Sequence, residues 1–399
     1  MAAGFCKVRR RIALIFVSVL LLIGCLIGSK SLENLGVKFN ENCKNGLSDR
    51  FLFGLCRNYS RKLAYGDICH LLCGGKSFRQ KGCIHHSSTV VIGGDLNGKK
   101  VVLKHKKISS DDYLSAESLE GILGGTSGSM DGAQTAWEDM ILDKVESAVG
   151  KFARLSRKKV LKQMNAPLSR NLHAMVSYLP LAAQEEYAMF GVYQDLNHIP
   201  KLHGYCGQTY AVEKLTPYSA LFPAITRKLD WKSTRRLALS FLDMVIELEN
   251  AVGGPLQHCD IQEGNFGVTD DFQVKLIDVD LILTKEKADL FLPQPNCTKD
   301  ADCDFFDCIS MCDVKKKKCL ARRITSNLQI LCRDIFKSNW PSTGLFGGVP
   351  QNIRSVLNIL LEDCASKRFG YFPFKHRKVK AMIRSLKSLL SRDDYNKNN

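Results

Sequence analysis

His258-Cys259-Asp260-Ile261-Gln262-Glu263-Gly264-Asn265, followed by Lys275-Leu276-Ile277-Asp278-Val279-Asp280, is the stretch that decides the fold. Its spacing is that of a kinase catalytic loop and the metal-binding segment after it. In that geometry one carboxylate accepts the nucleophile's proton, while an amide and a second carboxylate hold the metal bound to the nucleotide phosphates. The pattern H-x-D-x-x-x-x-N also arises by chance on polar loops, so its surroundings matter. Phe266-Gly267-Val268, the polar turn Thr269-Asp270-Asp271 and the apolar run Val274 to Ile277 read as a short hairpin, the context the motif requires. The expected chemistry is phosphoryl transfer.

Asp260 is the candidate base, and Asn265 and Asp278 are the candidate metal ligands. Any one of them alone reads equally well as a turn cap; their joint spacing favours chemistry. Asp280 stands where ordinary kinases place glycine, and either binds a second cation or caps the following turn. Cys259 replaces the usual arginine, so a phosphorylated activation-segment residue lacks its customary cationic partner. A disulfide or a small buried hydrophobe suits Cys259 better than a reactive thiol.

Upstream, Thr89-Val90-Val91-Ile92 and Lys100-Val101-Val102-Leu103-Lys104 flank Gly93-Gly94-Asp95-Leu96-Asn97-Gly98, the strongest hairpin signal in the chain. Lys104 ends a hydrophobic strand in an echo of the V-A-I-K pattern and is the candidate for pairing with ATP phosphates. Taken alone, it would be an ordinary solvated edge lysine. Two residues compete to be its acidic partner. Glu138 is the nearer in sequence. Glu186 is followed by Met189, Phe190 and Tyr193 on one helical face and then by His198-Ile199-Pro200, the helix-to-strand passage of a kinase small lobe. Glu186 is therefore preferred, which implies an insert at about 109–175. Residues 109–132 are rich in Ser, Gly and acids and read as a loop.

Further strands are expected at Ile199–Tyr205 and Thr209–Lys214, and helices over about 133–152 and 181–196. Ser233–Glu249 has one apolar stripe through Leu237, Phe241, Met244, Val245 and Leu248. Closing helices over about 321–338, 350–364 and 376–390 read as packing elements. The fold class expected is α+β: a bilobal protein-kinase-like fold with a mixed N-lobe and a helical C-lobe, preceded by a single transmembrane helix and a cysteine-rich segment. The boundaries expected are a cytosolic tail at 1–11, a signal anchor at 12–28, a cysteine-rich segment at 29–88, an N-lobe at 89–216 and a C-lobe at 217–399. A cysteine-rich insert at about 297–319 falls within the C-lobe.

The anchor expectation rests on Lys7, Arg9, Arg10 and Arg11 preceding an apolar run from Ile12 to Ile27. A cleaved signal peptide and a lipoprotein box at Leu22–Cys25 are the alternatives. By the charge-bias rule the large domain then lies in the lumen or outside the cell. The sixteen cysteines, most of them beyond residue 28, suit an oxidising compartment. Two glycosylation sequons, at Asn58 and Asn296, lean the same way. At Cys297, Cys303, Cys308, Cys312 and Cys319, disulfides are expected over zinc, whose usual ligand spacing is lacking. The formal charge of +17 is scattered without aromatic interleaving, so no specific nucleic-acid partner is expected.

The chain resembles the divergent protein kinase domain 1 family, cysteine-rich, single-pass, kinase-like proteins of the endoplasmic reticulum. The resemblance rests on the basic tail and apolar run, Val101–Lys104, Gln184-Glu185-Glu186-Tyr187, Ala238–Val245, Ile277–Asp280, and Asn296-Cys297-Thr298 leading into Asp304–Cys308. It implies a single-pass type II protein of the endoplasmic reticulum membrane, with its large domain lumenal. The Lys104, Asp260, Asn265 and Asp278 set, rather than the resemblance, leads to the expectation of ATP with Mg or Mn as cofactors and of a lumenal protein or glycan hydroxyl as acceptor. Some members carry a calcium-binding hand; this sequence lacks its oxygen-rich loop, so none is expected. Two departures favour a pseudokinase scaffold as the competing reading. No G-x-G-x-x-G precedes Lys104, and no Ala-Pro-Glu element follows Asp278.

Overall fold

Val101 and Leu103 face one side of a strand while Val102 and Lys104 face the other, and this alternation sets the layers of the N-terminal lobe. The computed structural model describes residues 46–75, 77–86, 89–106, 121, 130–151, 155–167, 171–222, 229–337, 344–366 and 375–391. Five antiparallel strands, β1 (Phe78–His86), β2 (Thr89–Leu96), β3 (Lys99–Lys106), β4 (Leu202–Cys206) and β5 (Thr209–Glu213), form one sheet in the order β1-β2-β3-β5-β4. Asn97 and Gly98 turn β2 into β3 with φ of 50° and 82°, the positive pair a two-residue hairpin turn demands. Gly93 and Gly94, expected in that turn, instead lie within β2, where they pair with Val102 and Val101. The strand β1 was not foreseen.

The outer face of the sheet is covered by the cysteine-rich segment. Leu55, Ala64, Ile68 and Leu72 pack on Val90, Ile92, Val101, Leu103 and Ala211 in one buried cluster. The disulfide Cys69–Cys206 ties this segment to β4, and Cys56–Cys73 closes it on itself. The segment is too short to bury a core alone, and the sheet completes it.

Between β3 and β4 the chain runs through helices Met130–Val149, Arg157–Gln163, Leu172–Ala182 and Glu185–Val192. The single helix expected over 181–196 is broken at Ala183–Gln184. Trp137 is fully buried and donates its indole N–H to the Pro167 carbonyl at 2.8 Å. The loop expected at 109–132 lies almost wholly outside the described residues.

In the C-terminal lobe, Asp230 caps the helix Trp231–Glu249 by accepting the Ser233 N–H at 2.9 Å. The predicted stripe of that helix is buried, and the Phe241 ring lies 5.0 Å from Phe266, on the strand that leaves the loop of Asp260. Beyond it, Cys332–Cys364 joins the helical segment Asn327–Phe336 to the helix Gln351–Ala365.

The single transmembrane helix expected at 12–28 is corrected, together with the signal anchor, the single-pass membrane partnership and the type II membrane placement that depended on it. No helix among the described residues is long and apolar enough to cross a membrane, and residues 12–28 lie outside those described. The two longest helices fail by composition. Met130–Val149 carries Glu138, Asp139, Asp143, Lys144 and Glu146, and Trp231–Glu249 carries Lys232, Arg235, Arg236, Asp243 and Glu247, charges that a hydrocarbon core strongly disfavours. The architecture described is a mixed sheet lobe followed by helices, consistent with a kinase-like fold.

Candidate functional site

Lys104 sits two residues before the end of β3, opposite Val91 on one side and Tyr210 on the other. Its ammonium pairs with the Glu186 carboxylate, donates to the Ile277 carbonyl at 2.9 Å and lies 5.5 Å from the centre of the Phe190 ring. Glu186 also accepts from the Tyr210 hydroxyl. Burial pushes the Glu186 carboxyl up, opposed by Lys104 and by the two hydrogen bonds. Glu138 is elsewhere, accepting from the Gln134 side chain at 3.1 Å.

The insert serves the helix that carries Glu186. Tyr178, from the inserted helices, and Tyr187, next to Glu186, both donate to the Met164 carbonyl, at 2.9 and 2.5 Å. Gly191 lets Met164 approach, since a Cβ there would lie 2.5 Å from the Met164 Cγ. The position of Glu186 is thus fixed by residues inserted before it.

Two short ladders bring the decisive stretch together. His258 pairs with Ile282, Phe266 pairs with Leu276, and the Ile277 N–H donates to the Asn265 carbonyl at 2.9 Å. Asp260 and Asn265 are in contact: the Asn265 amide donates to the Asp260 carboxylate at 2.7 Å and to its carbonyl at 2.9 Å. Gln262 donates to the same carboxylate at 2.8 Å. Asp278 accepts the Asp280 N–H at 3.2 Å, and the Asp280 carboxylate lies 3.8 Å from the Lys106 ammonium.

Burial pushes the Asp278 carboxyl upward, and the Asp280 and Asp260 carboxylates push the same way against the Asp280 N–H and Lys104. Such crowding of carboxylates is relieved by a divalent cation. Asn265 commits its amide nitrogen to Asp260, and its carbonyl oxygen is of the same hard donor type as the Asp278 and Asp280 carboxylate oxygens. This hard oxygen set fits Mg or Mn.

The loop is held from inside and from outside. His258 is buried, and burial, followed by the Arg323 charge, pushes its pKa down to about 3. The neutral ring can then accept the Asp260 N–H on Nδ1 at 3.3 Å. The His258 N–H donates to the Asn327 side chain at 3.0 Å, and Asn327 donates in turn to the Leu256 carbonyl at 2.9 Å. On the outside, Cys259 is bonded to Cys308, and the Asp307 N–H donates to the Cys259 carbonyl at 2.8 Å. The Asp307 carboxylate accepts the Ile261 N–H and the Arg333 guanidinium, each at 2.7 Å. Asp307, Asn327 and Arg333 escaped the sequence reading. The one available signal was the adjacency of Asp307 to a cysteine.

Asp307 belongs to the cysteine-rich insert, which contains two small ladders and the bridges Cys297–Cys312 and Cys303–Cys319. Zinc is not supported there. The sulfurs of Cys297, Cys303 and Cys312 come close together because two disulfides are adjacent, and each sulfur is already bonded.

A sheet lysine paired with a helical glutamate, facing a loop that presents Asp260, Asn265 and Asp278, defines a kinase-like class of protein. Residues 178–367 match the family model described as the protein-kinase domain of FAM69, and residues 8–161 match that of its N-terminal cysteine-rich endoplasmic-reticulum region. The chain carries the divergent protein-kinase-like domain of the FAM69 (PIP49) family behind that family's cysteine-rich region. Glu186, Asp260, Asn265 and Asp278 lie in the first match, whereas Lys104 lies in the second.

Proposed function

We propose that this protein is a phosphotransferase that moves the γ-phosphoryl group of ATP to a protein or glycan hydroxyl in an oxidising, lumenal compartment. The observation that carries the reading is the Lys104–Glu186 pair, whose ammonium also contacts the Ile277 carbonyl beside Asp278. In this reading Glu186 aims Lys104 at the α and β phosphates. Asn265 and Asp278 hold Mg or Mn, with Asp280 as a further oxygen ligand. Asp260 orients the acceptor hydroxyl and takes its proton. The bound metal nucleotide supplies the transferable phosphoryl group and charge neutralisation across its phosphates. The compartment is supported by the disulfide bonding of all thirteen described cysteines. Within the family, we read the closest resemblance as being to member C of the divergent protein kinase domain 1 proteins, from Val101–Lys104, Gln184–Tyr187 and Ile277–Asp280.

Titration calorimetry of the purified protein with ATP, in magnesium and in manganese, tests this reading. Micromolar binding that Asp278→Ala removes supports it, and a folded protein without nucleotide affinity in either metal defeats it.

The second reading is a pseudokinase that binds partners without transfer. Two observations favour it: neither β1 nor β2 carries the glycine-rich phosphate cover, and a disulfide-knotted segment follows Asp278 in place of an Ala-Pro-Glu platform. Nucleotide binding without transfer to any hydroxyl would select this reading.

A further inference from the structure

A concavity of about 640 Å³ shares no lining residue with the Lys104, Glu186, Asp260, Asn265 and Asp278 set. It lies where the end of β5 meets the turn Val268–Gln273, so both lobes contribute to its walls. A volume of this size lies within the usual range for small-molecule sites.

Its charge is unevenly compensated. Four carboxylates line it, and three of them have a cation: Asp195 pairs with Lys159, Glu213 with Lys275 at 2.6 Å, and Asp270 with Lys100 at 3.9 Å. The fourth, Asp271, is held by the Thr269 hydroxyl. Lys81, Lys201 and Lys214 also line the cavity, and no carboxylate partners them among the described residues.

The site is more than a scatter of surface lysines. Its floor is an ion pair in which Lys275 is only 4 % exposed, and Glu213 is further occupied by the Lys201 N–H at 3.2 Å. Lys214 is folded back across the sheet, with its ammonium 3.6 Å from where a Gly93 Cβ would stand. At His203, after burial, Lys99, Lys201 and Lys275 push the pKa down, and Glu213 offsets them in part.

We propose that this cavity binds a small multivalent anion, phosphate- or sulfate-bearing, through Lys81, Lys201 and Lys214 over the Lys275–Glu213 floor. The concavity gathers the three ammoniums around one ligand, so that they act on its several charges together. Lysine, a compact charge on a flexible stem, suits groups that approach without fixed bidentate geometry.

The test uses the full chain, titrated calorimetrically with inorganic tripolyphosphate and with a sulfated trisaccharide. EDTA is present, so metal-dependent phosphate binding at Asp278 is silent. Wild type should bind at least one of the two, with affinity falling as salt is raised. The triple variant K81Q/K201Q/K214Q should bind at least ten-fold more weakly, while K378Q/K380Q/R384Q, on the C-terminal helix, should bind as wild type does. Both triples should keep the wild-type melting temperature. The proposal is overturned if wild type binds neither anion, or if the two triples weaken binding equally. The preferred anion distinguishes phosphate from sulfate chemistry.

Discussion

The carboxylate of Asp307 holds the backbone N–H of Ile261 at 2.7 Å, one residue beyond Asp260, although the two partners lie 46 residues apart in the chain. An aspartate of the cysteine-rich insert therefore sets the backbone of the loop from which the proposed base projects. Asp307→Ala should strip a buried donor of its acceptor and cost about 1–3 kcal/mol of stability. Asp307→Asn, which keeps an acceptor oxygen, should cost less. Denaturant melts measure both, and hydrogen exchange should show faster exchange over residues 258–265 in the alanine variant.

Lys104→Met should weaken nucleotide binding by at least ten-fold and leave Glu186 buried without its cation. The side chains of this pair are only 15 % and 16 % exposed, so the loss of stability should be on the order of 3 kcal/mol. Glu186→Gln, which retains a partner for the Tyr210 hydroxyl, should be milder on both counts. Calorimetry and thermal unfolding of the two variants check the ranking.

Asp260→Ala should spare nucleotide affinity while lowering any measured transfer by roughly 10²- to 10⁴-fold, because a general base acts mainly in the transition state. Equal turnover in wild type and variant would remove Asp260 from the proposed role. A matching loss of affinity would make it a ground-state contact instead.

Acid should destabilise the fold through His258. Its folded pKa is about 3 against an ordinary 6.5, so the unfolded chain binds more protons throughout that interval. The stabilisation is complete above 6.5 and declines as the pH falls towards 3. By pH 5 it should have dropped by roughly 2 kcal/mol. His258→Asn, which offers the Asp260 N–H an oxygen without titrating, should flatten this part of the profile in urea unfolding from pH 7 to 5.

Where the sequence is periodic or carries a spaced motif, the structure can be read from it. The stripe of Trp231–Glu249 predicts its buried face, and the preference of Glu186 over Glu138 as the partner of Lys104 agrees with the ion pair observed. The catalytic roles of these residues remain proposals. The rest depends on contacts between distant residues. Gly93 and Gly94 look like turn residues, yet they stay in β2 because Asn97-Gly98 already satisfies the turn and β3 pairs along the whole strand. Asp307 sits between Phe306 and Cys308 with no periodicity to mark it, and the bridge Cys259–Cys308 with the hydrogen bonds beside it brings it to the loop. The cysteine pairing itself is a property of the folded chain, since cysteine spacing is compatible with many connectivities.

The bridge between Cys69 and Cys206 joins residues 137 positions apart and encloses β1, β2, β3 and the described helices of the insert. A protease that cuts the backbone once anywhere inside that loop does not divide the molecule. The two fragments should migrate as one species on a non-reducing gel and as two after reduction. A nicked preparation can therefore pass for intact material, with the Lys104 strand and the Glu186 helix still in one covalent particle.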